Sequence, residues 1–295
     1  MTIPTPVPEA PAAPTAGAPR RRRRWLIAIG TAWALLLGAA AGWSYHRDAP
    51  TVREQRTIAQ AAPVVDRAVG EVVGAVFDAD AVVGISGRRL RAGCRLTPAW
   101  AGAELERTVT IRSAAADAPA LVDRIADGLP AGYRAGVSGA GGVRRIRADA
   151  GEFVAISGAV TSPGVVSVSV RTGCRPPSDG FELKTALEVE GAERMTTARA
   201  NLIVLRAEGI DVVDVAVVPC PAGEGFFTSQ VATGRGELGP AVAQIVRRGG
   251  NPVIVDEPDH LAARIPFGSF DLREADGVLT SSSVEARCPP WVGGR

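Results

Sequence analysis

The chain has 295 residues, a formal net charge of +2 and 46% hydrophobic residues, enough for one large or two small domains. With 5% aromatic residues it offers no base-stacking platform for nucleic acid, and with two histidines it has almost no material for a Cys/His zinc site. Its charge is uneven: residues 46–178 carry 17 basic and 13 acidic side chains, whereas residues 179–295 carry 11 and 17.

Residues 1–24 form a Pro/Ala-rich tail without apolar period, ending in the run Arg20–Arg24, and read as disordered and cytoplasmic. Trp25–Tyr45 is a stretch of 21 residues without a charged side chain. A helix of that length covers about 30 Å, the thickness of a bilayer's hydrocarbon core. Trp25, Trp43 and Tyr45 place aromatic rings at both of its ends, and the arginines before it orient it with the N-terminus inside. The expectation is a single-pass protein of a bacterial cell membrane, touching the lipid bilayer through residues 25–45, with everything beyond extracytoplasmic. A cleaved signal peptide is the rival, with Ala39-Ala40-Ala41 as its small-residue site. The apolar run continues past that site, which favours a retained anchor.

Residues 46–62 read as a polar stalk, 63–178 as a first α+β domain, 179–290 as a second, and 291–295 as a tail. Ile58, Ala62, Val65, Val69, Val72, Val73 and Val76 recur every three or four residues and predict a helix, with Pro63 marking its true start. Strands are expected at Val82–Ile85, Arg88–Leu96, around Leu105–Ile111, and at Val143–Ala148, Phe153–Val160 and Gly164–Arg171. Pro119–Gly128 reads as a short helix capped by Asp117, and Gly139-Ala-Gly-Gly142 as a flexible turn. In the second half a helical stretch from about Phe181 to Ala207 precedes strands at Asp211–Val218 and Phe226–Thr233. A helix follows over Pro240–Gly249, and a last strand reaches Cys288.

The second half repeats the first. Pro240–Gly249 aligns without gaps on Pro119–Gly128, and Cys288-Pro289-Pro290 echoes Cys174-Arg175-Pro176-Pro177. The predicted fold class is therefore α+β: an N-terminal transmembrane helix followed by two duplicated α/β sandwich domains, each with one disulfide. Four cysteines allow three pairings. The repeat favours Cys94 with Cys174 and Cys220 with Cys288, in an oxidising compartment.

No catalytic, cofactor-binding or metal-ligating residue is assigned. No G-x-S-x-G is present, and Gly139–Gly142 lacks the Lys-Ser/Thr of a phosphate loop. Asp78 and Asp80 lack the other ligands of a calcium loop. A Ser-His-Asp arrangement would need His260, whose neighbours Asp256, Glu257 and Asp259 suggest an acidic surface loop. The strongest surface signal is a set of arginines on two predicted strands: Arg88, Arg89, Arg91 and Arg95, then Arg144, Arg145 and Arg147. They suggest a patch for an anionic partner. The leading reading is a non-catalytic binding or assembly module of the envelope, its partner an envelope protein or an anionic polymer and not nucleic acid. The alternative is a membrane-tethered hydrolase with its site between the halves.

Overall fold

The computed structural model describes residues 19–47, 56–140, 143–178, 180–185, 188, 195–221 and 223–289. Two units separate, Met1–Glu54 and Gln55–Arg295. The first contains α1 (Pro19–Arg47). Its Arg24–Ala41 window has a mean hydropathy of 1.5 and none of its side chains is buried, so by length and composition the helix is able to cross a membrane. The second unit is α+β, built on two antiparallel sheets. Residues 1–18, 48–55 and 290–295, where the tail, part of the stalk and the C-terminal segment were expected, lie outside the described residues.

The second unit opens with α2 (Ile58–Val76). Pro63 does not start this helix but sits inside it. The first turn is fixed instead by a capping box, in which the Thr57 hydroxyl accepts from the Gln60 amide and the Gln60 side chain accepts from the Thr57 amide. Two tertiary bonds add to it, from the Ile58 amide to the Pro176 carbonyl and from the Ala59 amide to the Ser178 hydroxyl. These outweigh the backbone bond that proline removes.

The first sheet comprises β1 (Val82–Ile85), β2 (Arg89–Thr97), β3 (Trp100–Arg112), β4 (Gly136–Ala140), β5 (Val143–Asp149), β6 (Val154–Ser162) and β7 (Val165–Thr172). Its order is β1-β3-β7-β6-β5-β4, with β2 continuing the β1 edge along β3. Helix α3 (Ala118–Gly128) lies between β3 and β4 in sequence. Asp117 stands at its N-cap position without a side-chain bond, and Pro119 occupies the first turn. Period-two alternation sends Leu105, Val109, Ile111, Val166, Val168 and Val170 inward, where they pack with α2 and α3. Of the stretch read as a flexible turn, Gly139 and Ala140 end strand β4, which pairs with β5 from Gly136↔Arg147 to Ala140↔Val143, and residues 141–142 lie outside the described residues.

The second sheet comprises β8 (Glu208–Pro219), β9 (Phe226–Arg235), β10 (Val253–Glu257), β11 (His260–Ile265), β12 (Gly268–Ala275) and β13 (Val278–Ala286). Its order is β10-β11-β12-β13-β9-β8. Helices α4 (Thr197–Val204) and α5 (Pro240–Arg248) cover one face. Ala198, Leu202, Val242 and Val246 pack there on Phe270, Leu272 and Leu279. The long helix expected from Phe181 is shorter: residues 181–185 are not helical, and part of the stretch lies outside the described residues. Two disulfides are present, Cys94–Cys174 and Cys220–Cys288.

The opposite face of the second sheet meets the first half. Ala216, Val218, Phe227 and Val284 belong to the same apolar core as α2. Gly70 and Gly74 make the close approach possible, because a Cβ on either would run into Pro219 or Pro221. Arg264 donates to the carbonyls of Phe77 and Ala79, beside the C-terminus of α2 where a positive charge is favoured. The Val83 amide donates to Ser269 Oγ at 3.1 Å. Beneath these contacts lies a buried ion network. Arg107, which is 0% exposed, pairs with Asp66 at 3.2 Å and with Glu188, and donates to the Val217 carbonyl. Arg88 also pairs with Asp66.

Candidate functional site

The inward residues of the first sheet leave the alternate positions on an open face. Strand register puts Thr108, Ser169, Ser157 and Arg147 in one row and Thr110, Ser167, Ala159 and Arg145 in the next. Arg89, Glu106 and Arg171 form the row at one end, and Arg112 stands at the other. The result is a trough of small, mostly hydroxylated side chains framed by arginines. With strands about 4.8 Å apart it spans about 19 Å from β2 to β5.

The β1 edge carries this face up to the second sheet, and a cleft with a volume of about 310 Å³ opens between them. The first half lines it with Ser86, Arg89, Thr110 and Arg112, and the second with Asp214, Ser229, Asp271, Arg273, Thr280 and Ser282. Asp271 is its electrostatic hub. It lies 2.6 Å from Arg112 Nε, 2.9 Å from Arg273 Nε and 3.2 Å from His260 Nε2. Burial alone would raise its pKa. Hydrogen bonds from His260 and Arg273 and the charges of Arg273 and Arg112 outweigh burial and hold it at about 2. Arg112 is lowered, chiefly by burial and against the pull of Asp271. Asp214 accepts from the Gly87 amide at 2.9 Å through Oδ2. Ser229 is 1% exposed and its hydroxyl makes no hydrogen bond among the described residues.

The seven arginines singled out in the sequence do not share one face. Arg88 is buried against Asp66 and stands 6.0 Å over the Phe181 ring. Arg144 turns to the helix side and grips Asp123 of α3 at 2.6 Å. Arg95 donates to the Pro98 carbonyl at the tip of the β2–β3 hairpin. Arg89, Arg91, Arg145 and Arg147 lie on the open face, where Arg91 pairs with Glu106 at 2.8 Å. Arg112, Arg171, Arg273 and Ser229 complete the surface. Sequence reasoning missed them because only strand register brings them together. The strand alternation around Arg112 and Arg171 was the available signal.

His260 is not on a loop. It opens β11, paired with Glu257 across the β10–β11 hairpin, and its side chain is 15% exposed. Its Nδ1 lies 3.9 Å from Glu257 Oε2, so the ring sits between two carboxylates. Among the described residues neither ring nitrogen bonds a hydroxyl, and no group of three or more His, Cys, Asp and Glu is placed to hold a metal ion. The arrangement that a serine hydrolase needs, with a base bonded to its nucleophile, is not assembled at His260.

A second, apolar groove of about 280 Å³ lies beside the Cys220–Cys288 bridge, lined by Phe77, Pro221, Phe227, Pro266 and Phe267. No family model and no curated protein matches the sequence. The crystal structure of a DUF4853 family protein from Actinomyces odontolyticus aligns with 56% of this chain and 89% of its own, at 15% identity and a TM-score of 0.35. That likeness is too low to carry a fold or a function across to this chain.

Proposed function

We propose that the chain is a single-pass, membrane-anchored protein of a bacterial cell envelope. Its α1 helix is the anchor, its N-terminus is cytoplasmic, and residues 46–295 are extracytoplasmic. The body is a non-catalytic binding or assembly module whose partner is an envelope protein or an anionic polymer. One observation carries this reading: the wide outer face of the first sheet carries Arg145 and Arg147, which make no ion pair among the described residues. We further read residues 63–178 and 179–290 as two α/β sandwich domains that arose by duplication. Supporting this, each sheet places its first two main strands in the order first, second, then the last four in reverse, once β2 is set aside.

The test has two arms. Protease added to cells stripped of their outer layers should digest residues 46–295, and full protection refutes the topology. In a deletion strain, Arg145→Glu/Arg147→Glu should fail to restore function although the variant folds and reaches the membrane. Full restoration by that variant refutes the binding reading.

A further inference from the structure

We propose that the cleft between the two sheets binds one acidic saccharide unit, a sugar bearing a carboxylate or a phosphate. This rests on the reading of the body as a binding module and names the ligand of that module.

The orphaned Ser229 hydroxyl is the first observation. It is buried, part of the cleft lining and unbonded among the described residues. Buried hydroxyls in folded proteins nearly always have a partner, and a ligand oxygen entering the cleft would supply one. Charge is the second. Arg112 and Arg273 are both already engaged by Asp271, whereas Arg89 lines the cleft without an ion pair among the described residues. Its planar fork suits a carboxylate or a phosphate. Third, acceptors and hydroxyls surround that cation. Asp214 spends Oδ2 on the Gly87 amide and keeps Oδ1 for a sugar hydroxyl, with Thr110, Thr280 and Ser282 nearby.

Size and lining narrow the class. A volume of about 310 Å³ holds a small molecule and not a helix or a folded partner. Among the described residues no aromatic side chain lines the cleft, so recognition there runs through charge and hydroxyls rather than stacking. The same cleft accepts a free acidic sugar or one unit of a polymer lying along the trough toward Arg145 and Arg147.

Isothermal titration of the full chain in zwitterionic micelles separates these cases, with glucuronate, glucose 1-phosphate, polygalacturonate and neutral glucose as probes. An acidic sugar should bind saturably and glucose should not. Arg89→Ala should weaken binding about 10- to 100-fold, the range for hydrogen bonds to charged groups, and Ser229→Ala about three- to tenfold. Both variants should keep the wild-type circular dichroism, since neither side chain holds the fold together. Arg145→Ala/Arg147→Ala should weaken the polymer severalfold more than the monomer, which identifies a polymer as the source. No saturable binding of any acidic probe, equal binding of glucose, or wild-type affinity in Arg89→Ala overturns the proposal. Polymer binding that ignores both cleft variants overturns the cleft site alone and leaves the binding module standing. Full cellular function in Arg145→Glu/Arg147→Glu would instead remove the module reading itself.

Discussion

Replacing Arg107 by methionine should reveal how firmly the buried ion network joins the two halves. The guanidinium is 0% exposed and faces Asp66 and Glu188, themselves 8% and 1% exposed. Removing one partner of a buried pair strands the other and costs about 3–5 kcal/mol. The structure places this case at the lower end. Asp66 keeps Arg88, and Glu188 keeps the amides of Val217 at 3.2 Å and Thr185 at 2.7 Å. We therefore expect a loss of about 3 kcal/mol, a large fraction of the roughly 5–15 kcal/mol that holds a domain folded. Adding Glu188→Gln removes the stranded charge while its amide oxygen still serves one backbone donor, and should return about half of the loss. Urea unfolding of the full chain, followed by circular dichroism, should show a midpoint lower by about 1 M in Arg107→Met. A loss below about 1 kcal/mol, or a double variant weaker than the single one, refutes the reasoning.

Acid should weaken the fold through Asp271. Its folded pKa of about 2 lies below the ordinary 3.8, so its contribution of about 2 kcal/mol is complete above pH 4 and is lost as pH falls through 2. Asp271→Asn should remove that part of the pH dependence in urea titrations at pH 2–6, and an unchanged profile contradicts the assignment. Gly70→Ala should destabilise by about 1–3 kcal/mol, because its methyl group meets the Pro219 carbonyl. A neutral or stabilising result in a thermal melt would mean that α2 and β8 do not pack this closely. Opening Cys94–Cys174 by a double serine substitution releases a link between residues 80 apart, worth about 4 kcal/mol in the chain-entropy model. Because α2 packs in one core with Ala216, Val218 and Phe227, the whole body should lose stability in one transition. Two separate transitions would contradict the shared core.

Much of the framework was legible. Val166, Val168 and Val170 alternate with Ser167, Ser169 and Arg171, and β7 forms there with the valines buried. Pro119 and Gly128 bracket α3 as proline and glycine bracket helices generally. What was not legible depends on tertiary context. Gly136–Ala140 carries one β-branched residue and two glycines, and it is a strand only because the β5 edge pairs with it. Pro63 signals a helix start, yet the Thr57–Gln60 box and the bonds to Pro176 and Ser178 carry the helix one turn further back. The site suffered most. Arg88 and Arg89 are adjacent in sequence, but one is buried against Asp66 and the other faces the cleft. Which arginine does which is decided by the pleat and by the side that α2 occupies.

The account rests on the open face of the first sheet and the adjoining cleft acting as one binding surface. Hydrogen exchange of the full chain, with and without polygalacturonate, tests it directly. The account predicts slowed exchange in peptides covering residues 82–91, 143–149, 165–173 and 271–282, with α3 and α5 unchanged. Protection confined to the helices or to the apolar groove around Phe267, or no protection at saturating polymer, would contradict it.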